Sequence, residues 1–130
     1  MMPLWNETIL VVDDDPLVRS VVARMLTPQG FMVLEATDGE DAIVVASRHN
    51  APIHLVLTDV VMPEMNGRDL FALLRGWYPP LRVLFMSGFT RGALAVRDLQ
   101  STNTGFIAKP FTVDALTREI RALLDTATAA

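Results

Sequence analysis

The chain has 130 residues, a net charge of −4, 51% hydrophobic and 20% charged residues, and no cysteine. It is long enough for one domain with one core and too apolar for disorder. It is also too acidic for general affinity to nucleic-acid phosphates, and it lacks thiols for disulfides or a thiolate metal site.

Residues 8–13 read as a first strand, apolar almost throughout, as in a strand covered on both faces. Asp15-Pro16 opens a helix, because aspartate caps well and proline is tolerated at the first helical position. Val18, Val21, Val22 and Met25 form its apolar stripe, and Thr27-Pro28-Gln29-Gly30 stops it. Residues 31–36 are a second strand. Asp38-Gly39 opens a second helix, with Asp38 as cap and Ala42, Ile43, Val45 and Ala46 toward the core. Pro52 precedes a third strand, residues 54–59.

Met62-Pro63-Glu64-Met65-Asn66-Gly67 is a loop by its proline and Asn-Gly content, with Glu64 in water. The third helix places Leu70, Leu73 and Leu74 on one side, and Trp77 with Tyr78 closes its end against a loop. Residues 81–86 are the fourth strand. A weaker fourth helix starts between Gly88 and Gly92 and carries Leu94, Ala95, Val96 and Leu99. Residues 104–108 are the fifth strand, and a last helix runs from about 112 to 124 with Val113, Leu116, Ile120 and Leu123 on one face.

Strands alternating with helices imply an α/β fold, a five-stranded parallel sheet with helices on both faces. Right-handed crossovers make it doubly wound, a (βα)5 chain. The domain is expected over residues 8–125, with a tail at 1–7 and a frayed end at 126–130. Residues 1–7 lack the basic start and apolar stretch of a signal peptide. The apolar runs fall short of the roughly 20 residues of a membrane span, so a cytoplasmic protein without membrane contact is expected.

Lys109 is the only lysine, and the other ten cations are arginine. Lysine supplies a compact ammonium that the planar guanidinium does not. It ends the fifth strand; the first strand ends in Asp13-Asp14-Asp15, the third in Asp59 and the fourth in Ser87. In a parallel sheet these ends share one edge, where ligands of doubly wound folds bind. Two carboxylates about 5 Å apart repel by roughly 3 kcal/mol at an effective dielectric of 20. Asp13, Asp14 and Asp59 therefore call for a dication beyond Lys109. All-oxygen ligands favour magnesium, with manganese the other hard candidate.

A carboxylate can be a nucleophile toward phosphorus. Asp59, at the end of the central strand, is best placed for that role. Asp13, Asp14 and the Val61 carbonyl would complete the metal site, and Lys109 with the Ser87 hydroxyl would take phosphoryl oxygens. Asp15 reads as a helix cap, and His49 and His54 as surface or strand-start residues.

The order Asp13-Asp14, Asp59 with Met62-Pro63 and Asn66-Gly67, Ser87-Gly88 and Lys109-Pro110-Phe111 resembles the receiver domain of two-component response regulators. The resemblance spans about residues 8–124. It implies a flavodoxin-like fold with strand order 2-1-3-4-5 and a cis Lys109-Pro110 bond. It implies magnesium-dependent phosphotransfer to Asp59 from a histidine kinase or histidine phosphotransfer protein. It also implies a switch in which Ser87 moves toward the phosphoryl group and Phe106 turns inward. The state would be read by a downstream protein at the face of helix four, strand five and helix five, with the chain a monomer or a phosphorylation-dependent dimer. The Met86-Ser87-Gly88-Phe89 run resembles stand-alone receivers or those of hybrid histidine kinases.

Val61 and Phe89 depart from the polar residues often found at their positions. Two apolar groups there should exclude a hydrolytic water and slow self-dephosphorylation. A haloacid-dehalogenase-like phosphatase would need a second aspartate where Val61 stands, and a flavin carrier would not lead its first strand into three acids. A receiver-like module that no longer takes phosphate fits the intact acid, hydroxyl and lysine set less well.

Overall fold

The computed structural model describes residues 6–88 and 103–126. Strands β1 (Thr8–Val12), β2 (Met32–Ala36), β3 (Leu55–Asp59), β4 (Arg82–Ser87) and β5 (Thr104–Ala108) form one sheet in the order β2-β1-β3-β4-β5. Every pairing is parallel. Helices α1 (Pro16–Leu26), α2 (Gly39–Arg48), α3 (Gly67–Trp77) and α4 (Val113–Thr126) cover it, and a short 3-10 turn, Thr27–Gln29, follows α1. This is the expected doubly wound, flavodoxin-like arrangement. The helix expected around Leu94 to Leu99 lies outside the described residues.

Alternation along the strands explains the two layers of helices. Successive strand residues point to opposite faces. Leu10 and Val12 of β1 therefore join Ala42 and Ala46 of α2 and Leu70 and Leu74 of α3 on one side. Ile9 and Val11 join Val22 and Leu26 of α1 and Leu116 and Ile120 of α4 on the other. With helices on both sides, β1 is buried along its whole length.

Helix starts follow the capping residues. The Asp15 carboxylate accepts the Leu17 N–H, with Pro16 as the first helical residue. Asp38 accepts the Asp41 N–H, and Asn66 accepts the Asp69 N–H. Each satisfies one of the amides that a helix start leaves without a partner.

Some side chains fall elsewhere than the apolar stripes suggested. Val21 and Leu73 are exposed, while Leu26 and Phe71 are buried in their stead. Leu26 lies one turn beyond the buried Val22, and Phe71 one turn before the buried Leu74, so each continues the inward face. At the end of α3, Trp77 is half exposed and lines a pocket with Tyr78, Pro52 and Ile53. Tyr78 ties that end down, donating its hydroxyl to the Ala46 carbonyl at 3.2 Å.

Candidate functional site

The sheet register sets the site. Val12 lies opposite Thr58, so Asp13 and Asp59 leave neighbouring strands at one level. Asp59 is opposite Met86, and Ser87 is opposite Ala108. Lys109 thus starts beyond the acids and reaches back over them. A cis Lys109-Pro110 peptide bond follows it, as the resemblance implied. The Lys109 N–H donates to the Ser87 carbonyl at 2.9 Å, which extends the β4–β5 pairing beyond the sheet proper.

One carboxylate oxygen from each of Asp13, Asp14 and Asp59 lies within 4.8 Å of the others. Asp13 is buried, Asp59 partly buried and Asp14 exposed. The Lys109 ammonium donates to Asp13 Oδ2 and to Asp59 Oδ2, both at 3.1 Å. Asp13 Oδ1 accepts the Asp15 N–H at 2.8 Å, and Asp59 Oδ1 accepts the Val61 N–H at 3.2 Å. One ammonium therefore bridges two of three clustered carboxylates.

Burial pushes the Asp13 carboxyl above its ordinary value, and the neighbouring Asp59 adds to this; the Asp15 N–H and Lys109 offset only part. Burial pulls Lys109 the other way, but Asp59 and Asp13 together outweigh it and hold the ammonium above the usual lysine value. The Asp13 shift reports mainly its burial, and the Lys109 shift reports the anions around the ammonium. Three carboxylates, with no histidine or cysteine in the cluster, are a hard oxygen donor set that fits a hard dication.

Asp13, Asp14, Asp59 and Lys109 thus come together as the sequence suggested. Ser87 ends β4 beside them with 3% of its surface exposed. Val61, two residues after Asp59, is 63% exposed. Phe106 lies on β5 opposite Phe85 and packs partly buried against the α2–α3 side of the core. Phe89 is outside the described residues.

One contributor escaped the motif reading. Arg19 of α1 donates from Nη1 to the Asp13 carbonyl at 2.8 Å, and its Nε lies 3.5 Å from Glu35 of β2. The sequence signal was slight: a cation next to Val18, on the flank of the apolar stripe. A partly buried guanidinium needs acceptors nearby.

A family model described as "Response regulator receiver domain" matches residues 9–121. The chain is 33% identical over 120 residues to the sensor kinase CckA of Brucella abortus, covering 92% of this chain and 13% of that protein. It is 32% identical to the probable transcriptional regulatory protein TcrX of Mycobacterium tuberculosis, covering 90% of this chain and 49% of that one. The crystal structure of the receiver domain of the hybrid histidine kinase CckA superposes with a TM-score of 0.74 at 35% identity, covering 90% of this chain and 98% of that domain. The chain spans about half or less of these two curated relatives. Among the described residues no helix is long and apolar enough to cross a membrane. With the acid trio and lysine at the sheet edge and the match along nearly its whole length, the chain belongs to the response regulator receiver domain family.

Proposed function

We propose that this receiver domain takes a phosphoryl group onto Asp59 from a phosphohistidine of a histidine kinase or histidine phosphotransfer protein, in a magnesium-dependent reaction. One observation carries the reading: Asp13, Asp14 and Asp59 converge within 4.8 Å, with Lys109 bridging two of them. Asp13, Asp14, Asp59 and the Val61 carbonyl are the groups that would hold the ion. When bound, the dication supplies neutralisation of phosphate charge.

The chain's own residues do the rest. A carboxylate oxygen of Asp59 forms the new bond to phosphorus while the P–N bond to the donor imidazole breaks. The imidazole leaves with the bonding pair and takes a proton from solvent. Lys109 transfers its contact from the Asp59 carboxylate to a phosphoryl oxygen, and the Ser87 hydroxyl donates to another. Phosphoryl transfer asks for little else than positioning and charge stabilisation.

A donor protein must cover Asp59 to deliver its histidine. Beside Lys109 lies an apolar groove of about 290 Å³, lined by Leu17, Val21, Met25, Pro110 and Phe111 among others. Leu17 is 71% exposed there, which suits contact with the apolar face of a donor helix. Once Ser87 engages the phosphoryl group, Phe106 turns into the space it leaves. A downstream protein then reads the face around β5. Charge-assisted contacts made only in the phosphorylated state bias that equilibrium. The setting proposed for this exchange is the cytoplasm, where such donors would meet it.

Intact-mass spectrometry after incubation with acetyl phosphate tests the reading. The native chain gains one phosphoryl group in magnesium and none in chelator, and Asp59→Asn gains none. An equal adduct on Asp59→Asn, or none on the native chain in magnesium, refutes it. With apolar residues at positions 61 and 89, where polar groups can help place a hydrolytic water, the phosphoryl group should be long-lived. Phe89→Asn should shorten that lifetime about tenfold or more; the decay of the adduct with time measures it, and an unchanged decay rules the idea out.

A further inference from the structure

We propose that Arg19 is a positioning residue for the metal site, acting through the peptide group between Asp13 and Asp14. The inference rests on the magnesium reading above and assigns a new residue to that site. Asp13 is the first residue past β1, where the sheet no longer supplies partners for both of its peptide groups. Its N–H still reaches the Ala36 carbonyl at 3.2 Å. Its carbonyl is taken by Arg19 Nη1 at 2.8 Å, from the end of the first turn of α1. The carbonyl of Asp13 and the N–H of Asp14 belong to one planar unit, so holding the first sets the direction from which Asp14 leaves. Asp14 is exposed and otherwise has the least constraint of the three acids.

Arg19 is itself held. Its side chain is 16% exposed, and Glu35 of β2 stands 3.5 Å from Nε. The guanidinium therefore spans from the end of β1 to β2, one nitrogen on each. A planar fork can serve two acceptors in fixed directions; a lysine ammonium on a flexible stem does not reproduce this. Supports behind metal ligands commonly change affinity by about 10–100-fold when removed.

Charge and geometry make opposite forecasts here, so they can be separated. Removing the Arg19 cation leaves Glu35 uncompensated. By charge alone, Arg19→Met should bind a dication more tightly. If Arg19 acts by holding the Asp13–Asp14 peptide, the same variant should bind more weakly. Arg19→Lys keeps the charge and loses the fork, so it too should weaken binding. Glu35→Gln should have a smaller effect in the same direction, since it frees one end of the brace.

The experiment is isothermal titration of magnesium into the full native chain, Arg19→Met, Arg19→Lys and Glu35→Gln, with circular dichroism checking that each is folded. The expected result is a Kd about tenfold higher for Arg19→Met and Arg19→Lys than for the native chain. An unchanged or lower Kd in folded Arg19→Met overturns the inference, as does an unchanged Kd in Arg19→Lys. A drop in melting temperature without a change in Kd means Arg19 only braces the fold, and also overturns it. Should Arg19→Met not fold, Arg19→Lys decides. A native chain that takes up no magnesium removes the underlying site reading itself, a result distinct from equal binding by all four proteins.

Discussion

Among the described residues, Asp13 is a buried acid in electrostatic conflict with its neighbours. It is 1% exposed, yet it sits among Asp14, Asp59 and one ammonium. Burial raises its proton affinity in the folded state above that of the unfolded chain. A raised carboxyl favours folding fully below the ordinary aspartate range, and that contribution is lost as pH rises through the folded value. In chelator, the native protein should therefore lose stability relative to Asp13→Asn as pH rises above about 4. Asparagine keeps an oxygen for the Asp15 N–H and carries no charge to bury. Urea unfolding of both proteins across that range measures the difference. Lys109 has the same sign in a higher window: its raised value means its stabilisation is present at neutral pH and lost only as pH rises beyond the usual lysine range. The acid trio and the lysine were legible in the sequence because strand ends in a parallel sheet share an edge. Arg19 was not, because its contact is to a backbone carbonyl, and no side-chain pattern records which carbonyls a strand end leaves without a sheet partner.

At the element scale, the start of α3 is pressed against the end of β3. A Cβ on Gly67 would lie 2.4 Å from the Asp59 carbonyl oxygen and 3.2 Å from Thr58 Cγ2. The Gly67 N–H also donates to the Val60 carbonyl at 2.8 Å. No flexible side chain can give way there, because the nearest atom is backbone. Gly67→Ala should therefore lift α3 from the end of β3 and cost about 2–3 kcal/mol of stability by urea unfolding. A loss under about 0.5 kcal/mol would mean that the loop relaxes freely, since substitutions away from tight packing usually stay within that range. The strands were readable because each is a short apolar run between turn residues, and the helix starts because Asp15 and Asp38 sit where an N-cap must. The buried side of α1 and α3 was less so. Apolar residues at Val21 and Leu73 fit a helical period equally well, and only the packing of the sheet decides that Leu26 and Phe71 go inside.

For the whole molecule, the order β2-β1-β3-β4-β5 gathers at one edge groups that are as far apart in the chain as Asp13 and Lys109. The fold is thereby asked to hold like charges together, and part of its stability should depend on what neutralises them. A ligand that binds only the folded state stabilises it in proportion to the logarithm of its concentration over Kd. The most direct test is the melting temperature of the full chain in magnesium against chelator, for the native protein and for Asp13→Asn, Asp14→Asn and Asp59→Asn. The native melting temperature should climb with magnesium concentration, and each variant should climb less. A native protein whose melting temperature does not respond to magnesium, or variants that respond as fully as it does, would contradict the account.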